Sequence, residues 1–469
     1  MKKDLPFYFI VISIFLLMIS PFLFTRGMFM DGIIYAVLSK NFAVGEGSFL
    51  YPVFSETFLL NFQSHPPMFF FLQGMIFKIF GTSFLVERLF SVLCIVLTGI
   101  ITIKTYKRLD LKSGFLPLLF LVLIPLITWS ATNNMIENAL IIFTSFSVLF
   151  YLYSLKNKRL VFLFLAGISI AIGFSIKGFV AFFPLSFPFV YWLVIRDTAF
   201  KRMFFDTMLI LIISIAPIII PIYSSPEVMD YFNHYFKTQI MGSIENAVTV
   251  NSRFYIVWRF LRELLIPIII IGLFEIILRL KWKITIFKNK ENNKKALMMF
   301  LFSLTAVLPV MVSMKQSGFY ILTAFPFAAI ALSALIDEYI YELSSKLNLK
   351  SKGFSIFKYV SICLLVVSIS FGFLFIGKDG RDAKLLSDMD VIAKKLPQKS
   401  IISVTNQMRE EYSLFAYYAR FHDISMDLNP DNQRQYLLIR KEYSYSFEEM
   451  NYKKVDLETQ SFDLYEKEN

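Results

Sequence analysis

The chain has 469 residues, of which 56% are hydrophobic and 17% charged; phenylalanine alone accounts for 54, and mean hydropathy is +0.60. That composition excludes an ordinary soluble globular protein and makes lipid the solvent to reason from. The formal net charge of +12 does not call for a nucleic-acid partner, because residues 378–469 hold 14 Lys/Arg against 17 Asp/Glu, so the whole positive excess lies in the apolar part, where it reads as a topology and anionic-lipid signal.

Apolar runs fall at roughly 6–24, 85–103, 114–130, 138–155, 160–176, 179–195, 206–222, 256–278, 296–313, 318–336 and 355–377. Most approach the length of helix that crosses the ~30 Å hydrocarbon layer, which predicts about eleven transmembrane helices. The first run follows Lys2 and Lys3 but lacks a small-residue cleavage pattern, so it is expected to stay as a helix rather than be removed as a signal peptide. Lys104 to Lys112, Lys156 to Arg159, Arg196 to Arg202, Arg279 to Lys295 and Lys346 to Lys352 gather positive charge in alternate loops. By the positive-inside rule these loops and the N-terminus are cytoplasmic, leaving 25–84, 131–137, 177–178, 223–255 and 314–317 outside. The compartment this implies is a bacterial inner (plasma) membrane.

Residues 66–80 are apolar but short, and Pro66-Pro67 suits a helix N-terminus; the segment is expected to lie as an interfacial helix. The membrane domain is thus 1–377, with a first outer loop at 25–84 and a second large one at 223–255. From Lys378 the pattern becomes that of a small extracytoplasmic α/β domain, 378–469: helices near 382–396 and 408–420, and strands at 400–404, 436–440 and 454–464. It carries no cofactor motif, which leaves an accessory or acceptor-docking role. Cys94 and Cys363 sit in apolar runs without metal-ligand spacing.

Ionisable residues on the outer side carry the functional signal. Asp31 follows the first span closely, in Thr25-Arg26-Gly27-Met28-Phe29-Met30-Asp31, and Glu137 stands at the outer end of another span. Carboxylates at such positions are costly unless paired or functional. Lys177 and Lys315 lie on the face that otherwise avoids positive charge, and with Arg26 they suggest a collected anion site. The plainer readings are a satisfied surface pair for Arg26 and Asp31, and lysines that snorkel to the interface. His65 could simply cap the helix that follows it. In the second loop, Tyr231, Asn233, His234, Tyr235, Lys237, Gly242, Ser243 and Asn246 form a polar and aromatic mixture suited to a sugar, without diagnostic spacing.

Arg26-Gly27 with Asp31 and Tyr35, then His65-Pro66-Pro67, Phe80-Gly81-Thr82-Ser83 with Glu87-Arg88, Asn133 to Glu137, Lys177-Gly178 with Pro184, and Lys315-Gln316 leading to Tyr320 and Phe325-Pro326 occur in a meaningful order. In this the chain resembles the protein O-mannosyltransferase and lipid A aminoarabinose transferase superfamily (PMT-like, ArnT-like), over most of residues 20–335. The resemblance implies the C-type membrane glycosyltransferase fold, an outward-facing polyprenyl-phosphate sugar donor and inversion at the anomeric carbon. It implies Asp31 as the catalytic acid-base group and Glu137 as a second acid or metal contact. Arg26, Lys177 and Lys315 would bind the donor phosphate, and Tyr35, His65, His234, Gln316 and Tyr320 would line the donor or acceptor pocket. The acceptor would be an envelope lipid, a glycan or a protein. The chain departs from the family in having Asp31-Gly32 where Asp-Glu is usual, Glu137 where Asp is common, and His65 where the aminoarabinose transferases tend to have Lys. A P-loop or dinucleotide fingerprint is lacking, as expected for a donor that already stores its activation energy. A divalent cation bridging carboxylate and phosphate stays open, and no other cofactor is implied. A transporter or flippase of lipid-linked sugars, or a structural membrane protein, is the reading from another class.

Overall fold

A computed structural model of the chain describes residues 3–242, 248–443 and 451–468. Its first part is almost entirely helical: α1 (Leu5–Leu23), α2 (Met30–Val44), α3 (Met68–Phe80), α4 (Phe84–Arg108), α5 (Phe115–Val122), α6 (Pro125–Thr132), α7 (Ile136–Ser154), α8 (Arg159–Lys177), α9 (Phe187–Ile195), α10 (Phe200–Ser224) and α11 (Pro226–Tyr235). Helices Tyr255–Glu263, Leu265–Trp282, Lys290–Val307, Phe325–Ser345 and Lys352–Gly372 follow.

Among the described residues, eight helical segments are long and apolar enough to cross a membrane, or nine if the bent pair α5–α6 is one span. This count does not confirm the expected eleven, and local chemistry accounts for each run that it joins or leaves out. The runs at 160–176 and 179–195 count there as one helical stretch, Arg159–Ile195, yet the chain reverses at Gly178 (φ +71°), where a Cβ on Gly173 would stand 3.1 Å from that of Ala181, so α8 and the Gly178–Ser186 turn leading into α9 are separate legs. The run at 114–130 breaks where Pro125 restarts the helix at 75° to α5. The run at 256–278 divides at Leu264 into two helices, and the second carries Glu275, Arg279 and Lys281. The segment expected at the interface is the 13-residue α3, too short to span, with Phe69, Phe70, Gln73 and Phe77 buried.

The C-terminal region forms a five-stranded sheet in the order β2-β1-β3-β5-β4. Its strands are β1 (Ile401–Val404), β2 (Ser425–Asp427), β3 (Tyr436–Arg440), β4 (Tyr452–Lys454) and β5 (Phe462–Lys467). β1 runs parallel to β2 and β3, whereas β5 is antiparallel to β3 and β4. Helices Ala383–Ala393 and Tyr412–His422 bury Leu386, Met389, Leu414 and Phe415 in one cluster with Ile402, Met426 and Leu464 of the sheet. The strand expected at 454–464 is two strands, and the three-residue β2 was too short to leave an alternating pattern.

This domain is fastened to the segment after α1 and to the start of α4 by charge as well as by packing. Arg420 forms a bidentate pair with Glu87 (2.7 and 3.2 Å), and both side chains are almost fully buried. Arg26 spans Asp379 and Asp390 with four hydrogen bonds of 2.7–3.1 Å. The Tyr417 hydroxyl accepts from Met28 N, while Lys40 pairs with Asp423.

Candidate functional site

The site is assembled where α2 begins. Asn133 Oδ1 accepts from Phe29 N at 2.7 Å, and Asn134 Nδ2 donates to Gly32 O at 3.0 Å, so the start of α2 lies directly on the turn between α6 and α7. Contact is close enough that a Cβ on Gly32 would come within 1.9 Å of Asn133 O. Here the departure from Asp-Glu has a physical reason: no larger side chain fits after Asp31. Arg88, 1% exposed inside an apolar helix, donates to the carbonyls of Phe22 (2.6 Å), Thr132 (2.6 Å) and Gly27 (2.5 Å) and so ties α1, α6 and the first loop together.

That packing brings Asp31 within electrostatic reach of Glu137, Lys177 and Lys315. Lys177, at the end of α8, donates to Glu137 Oε1, and its ammonium lies over the rings of Tyr320 (4.8 Å) and Phe319 (5.6 Å). Glu137 is 1% exposed and its Oε2 has no hydrogen-bond partner. Asp31 is partly buried, and no hydrogen bond to its carboxylate forms among the described residues. Burial first, and the Glu137 charge second, push its pKa up to about 6, while Lys177 and Lys315 pull the other way. The Lys315 ammonium likewise has no hydrogen bond or ion pair among the described residues.

Tyr35 and His65 back this cluster, with Tyr35 Oη 3.1 Å from His65 Nε2. Burial, and then Lys177 and Lys315, lower the His65 pKa to about 3, so the ring is neutral at any working pH. Burial also raises the Tyr35 phenol well above its ordinary range. The His65 carbonyl accepts from Tyr231 at 2.7 Å, which locks α11 over the first loop.

Three of the expected site residues stand apart from this cluster, two of them engaged in other contacts and one exposed. Arg26 is committed to Asp379 and Asp390 of the C-terminal domain, and two carboxylates neutralise the charge a phosphate would need. Gln316 is spent on the chain around it: its amide donates to Arg253 O (3.0 Å) and Ser313 O (2.9 Å) and accepts from Ile256 N (3.0 Å). His234 is exposed on α11, whose inward face presents Tyr231 and Tyr235 instead. Ser243 and Asn246 lie outside the described residues.

Sequence reasoning missed Arg259. It lines a cavity of about 990 Å³ together with Phe29, Trp129, Trp258 and Phe319. Its Nη2 pairs with Glu263 at 2.7 Å, whereas its buried Nε has no partner. Gly318 leaves room for it, since a Cβ there would stand 3.0 Å from that Nε. The available signal was an arginine in an apolar run, four residues before an acid. For a divalent cation the fit is poor: the described residues contain no group of three or more His, Cys, Asp or Glu able to hold one, and Glu137 already faces an ammonium.

A family model for dolichyl-phosphate-mannose-protein mannosyltransferases matches residues 64–221. Among solved structures, ArnT from Cupriavidus metallidurans bound to undecaprenyl phosphate superposes with a TM-score of 0.67 at 14% identity, covering 97% of each chain. The same protein in the apo state gives 0.65, also at 14% identity and 97% coverage of each chain. The chain has the C-type membrane glycosyltransferase fold. An oligosaccharyltransferase from Archaeoglobus fulgidus matches this chain more distantly, with a TM-score of 0.53 at 10% identity over 92% of this chain and 65% of the other. No curated protein matches in sequence. Within this fold the Asp31 cluster occupies the junction of the start of α2 with α7, α8 and the segment around Lys315.

Proposed function

We propose that the protein is an inverting glycosyltransferase that moves a sugar from a polyprenyl-phosphate donor to a lipid, glycan or protein acceptor on the extracytoplasmic face of a bacterial inner membrane. The observation that carries this reading is a carboxylate without a hydrogen-bond partner, its pKa pushed up to about 6, facing two lysines in a partly buried pocket. A base needs that pKa to take a proton near neutral pH. In the proposed step Asp31 removes the proton of the acceptor hydroxyl as its oxygen bonds to the anomeric carbon. The bond from that carbon to the phosphate oxygen breaks, and the electron pair leaves with the lipid phosphate.

Lys315, whose ammonium has no partner among the described residues, and Arg259, whose Nε has none, would receive that phosphate; Lys177 is held by Glu137 and sets the local field. An apolar groove of about 770 Å³, lined by Phe179, Phe182, Phe183 and Leu308, offers a place for a prenyl chain. The ArnT structure with undecaprenyl phosphate supports a lipid of that class. Under this reading residues 1–377 form the transferase domain, and 378–469 lie outside with the N-terminus cytoplasmic. A reporter fused after residue 469 that is active only in the cytoplasm would overturn that orientation.

The test is incubation of the purified protein with a panel of polyprenyl-phosphate sugars and membrane extract, read by mass spectrometry. Free polyprenyl phosphate together with a labelled acceptor identifies both substrates. Translocation of the lipid-linked sugar without a glycosylated product would favour the transporter reading instead.

A further inference from the structure

The C-terminal domain holds a separate cavity of about 230 Å³ beside the carboxyl ends of the parallel strands β1 and β2. That edge of an open α/β sheet is where connecting loops leave a crevice for ligands. Thr405, Asn406 and Gln407 bound it after β1, Asn429 and Gln433 bound it on the connection from β2 to β3, and Tyr452 closes it from β4.

Two features distinguish it from a surface dimple. Thr405 is 6% exposed, yet its Oγ1 is buried without a hydrogen-bond partner, an arrangement that costs stability unless something else supplies the bond. Neighbouring Ser403 shows the contrast, because its hydroxyl donates to Asn432 O (2.9 Å) and accepts from Arg434 N (3.2 Å). The exposed carboxamides of Asn406, Gln407 and Gln433 make no side-chain hydrogen bond among the described residues.

No formally charged side chain lines the cavity among the described residues, and the nearby Asp427 is already paired with Arg434 at 2.7 Å. A phosphate or a cation would find no counter-charge here. Carboxamides and a hydroxyl, which both donate and accept, around an apolar wall that includes Leu437, match a ring bearing several hydroxyls.

We propose that this cavity binds a neutral saccharide, at a site that shares no residue with the Asp31 cluster. That it holds part of a glycan acceptor rests on the proposed transferase activity; the binding itself does not. The experiment is saturation-transfer NMR on the full-length protein in an amine-oxide detergent, which carries no competing sugar headgroup. Free hexose, N-acetylhexosamine, deoxyhexose and pentose serve as probes, with hexose 1-phosphate as the charged control.

At least one neutral sugar should receive saturation. Thr405→Val should weaken its binding about tenfold, the loss of one buried hydrogen bond. The double variant Asn406→Ala/Gln433→Ala, at exposed positions that folding tolerates, should weaken it too. Asp31→Asn should bind the sugar as the wild type does, so failure of transfer and failure of this site are read separately. Saturation of no neutral sugar, of hexose 1-phosphate alone, or to the same extent in Thr405→Val and the double variant overturns the proposal.

Discussion

Replacing Asp31 with Asn tests both the chemistry and the physics of the site. With the carboxyl pKa at about 6 in the folded protein against an ordinary 3.8, the native state holds its proton more tightly than the unfolded chain does. Stability therefore falls as pH rises from the lower value to the higher, and the ionised side chain costs on the order of 3 kcal/mol at neutral pH. Asp31→Asn should remove that cost. In thermal denaturation in detergent the variant should gain stability over the wild type as pH is raised from 4 to 7, with no further gain above that. Transfer should be abolished in the same variant, since an amide cannot accept the acceptor proton. In the wild type, kcat/KM should drop about tenfold between pH 7 and pH 5, following the ionised fraction of a group with this pKa. Transfer retained by Asp31→Asn would refute the catalytic assignment; a stability difference between the two proteins that does not vary with pH would refute the electrostatic one.

Lys315→Ala should raise KM for the donor or lower kcat while leaving the melting temperature within a degree or two, because the ammonium has no protein partner to lose; a donor titration checks it. Glu137→Gln and Lys177→Met should each destabilise by about 3 kcal/mol, since either leaves a buried charge unpaired, and the double variant should recover part of that loss in a thermal-shift cycle. Arg420→Met should cost a similar ~3 kcal/mol through unpaired Glu87 and loosen the C-terminal domain, which limited proteolysis would reveal as faster release of a fragment near residue 378. The acid limb of the kcat profile should lie at higher pH than that of kcat/KM, because bound donor phosphate adds negative charge beside Asp31.

The residues that were legible share a property: each is ionisable, breaks an apolar pattern and falls in a segment that the charge pattern sets apart from the basic loops. Asp31, Glu137, Lys177 and Lys315 meet that test and lie within reach of one another. Arg26 meets it as well, yet its partners Asp379 and Asp390 come from more than 350 positions away, and no local pattern announces them. Arg259 also interrupts an apolar run, yet its cavity-facing side appears only once the segment around Gln316 is packed on its helix, Tyr255–Glu263. The expected span count differs from the number of long apolar helices for a related reason. Hydropathy registers the length of an apolar run but not the bend at Pro125 or the tighter turn beginning at Gly178, where the run changes direction or joins its neighbour.

Charge accounting links these residues to the proposed reaction. Two acids, Asp31 and Glu137, face two lysines, Lys177 and Lys315, so their formal charges cancel, as a partly buried pocket requires. The division is unequal, however. Glu137 and Lys177 satisfy each other directly, leaving Asp31 and Lys315 as the pair without hydrogen bonds. An arriving lipid phosphate that engages Lys315 takes away support from the Asp31 carboxylate, which then becomes a stronger base at the moment its acceptor is needed. The internal Glu137–Lys177 pair keeps the remaining charge fixed, so this change falls on Asp31 alone. A site with both lysines free would bind the phosphate more tightly but would leave the base weaker, and the observed asymmetry favours turnover over retention of the product.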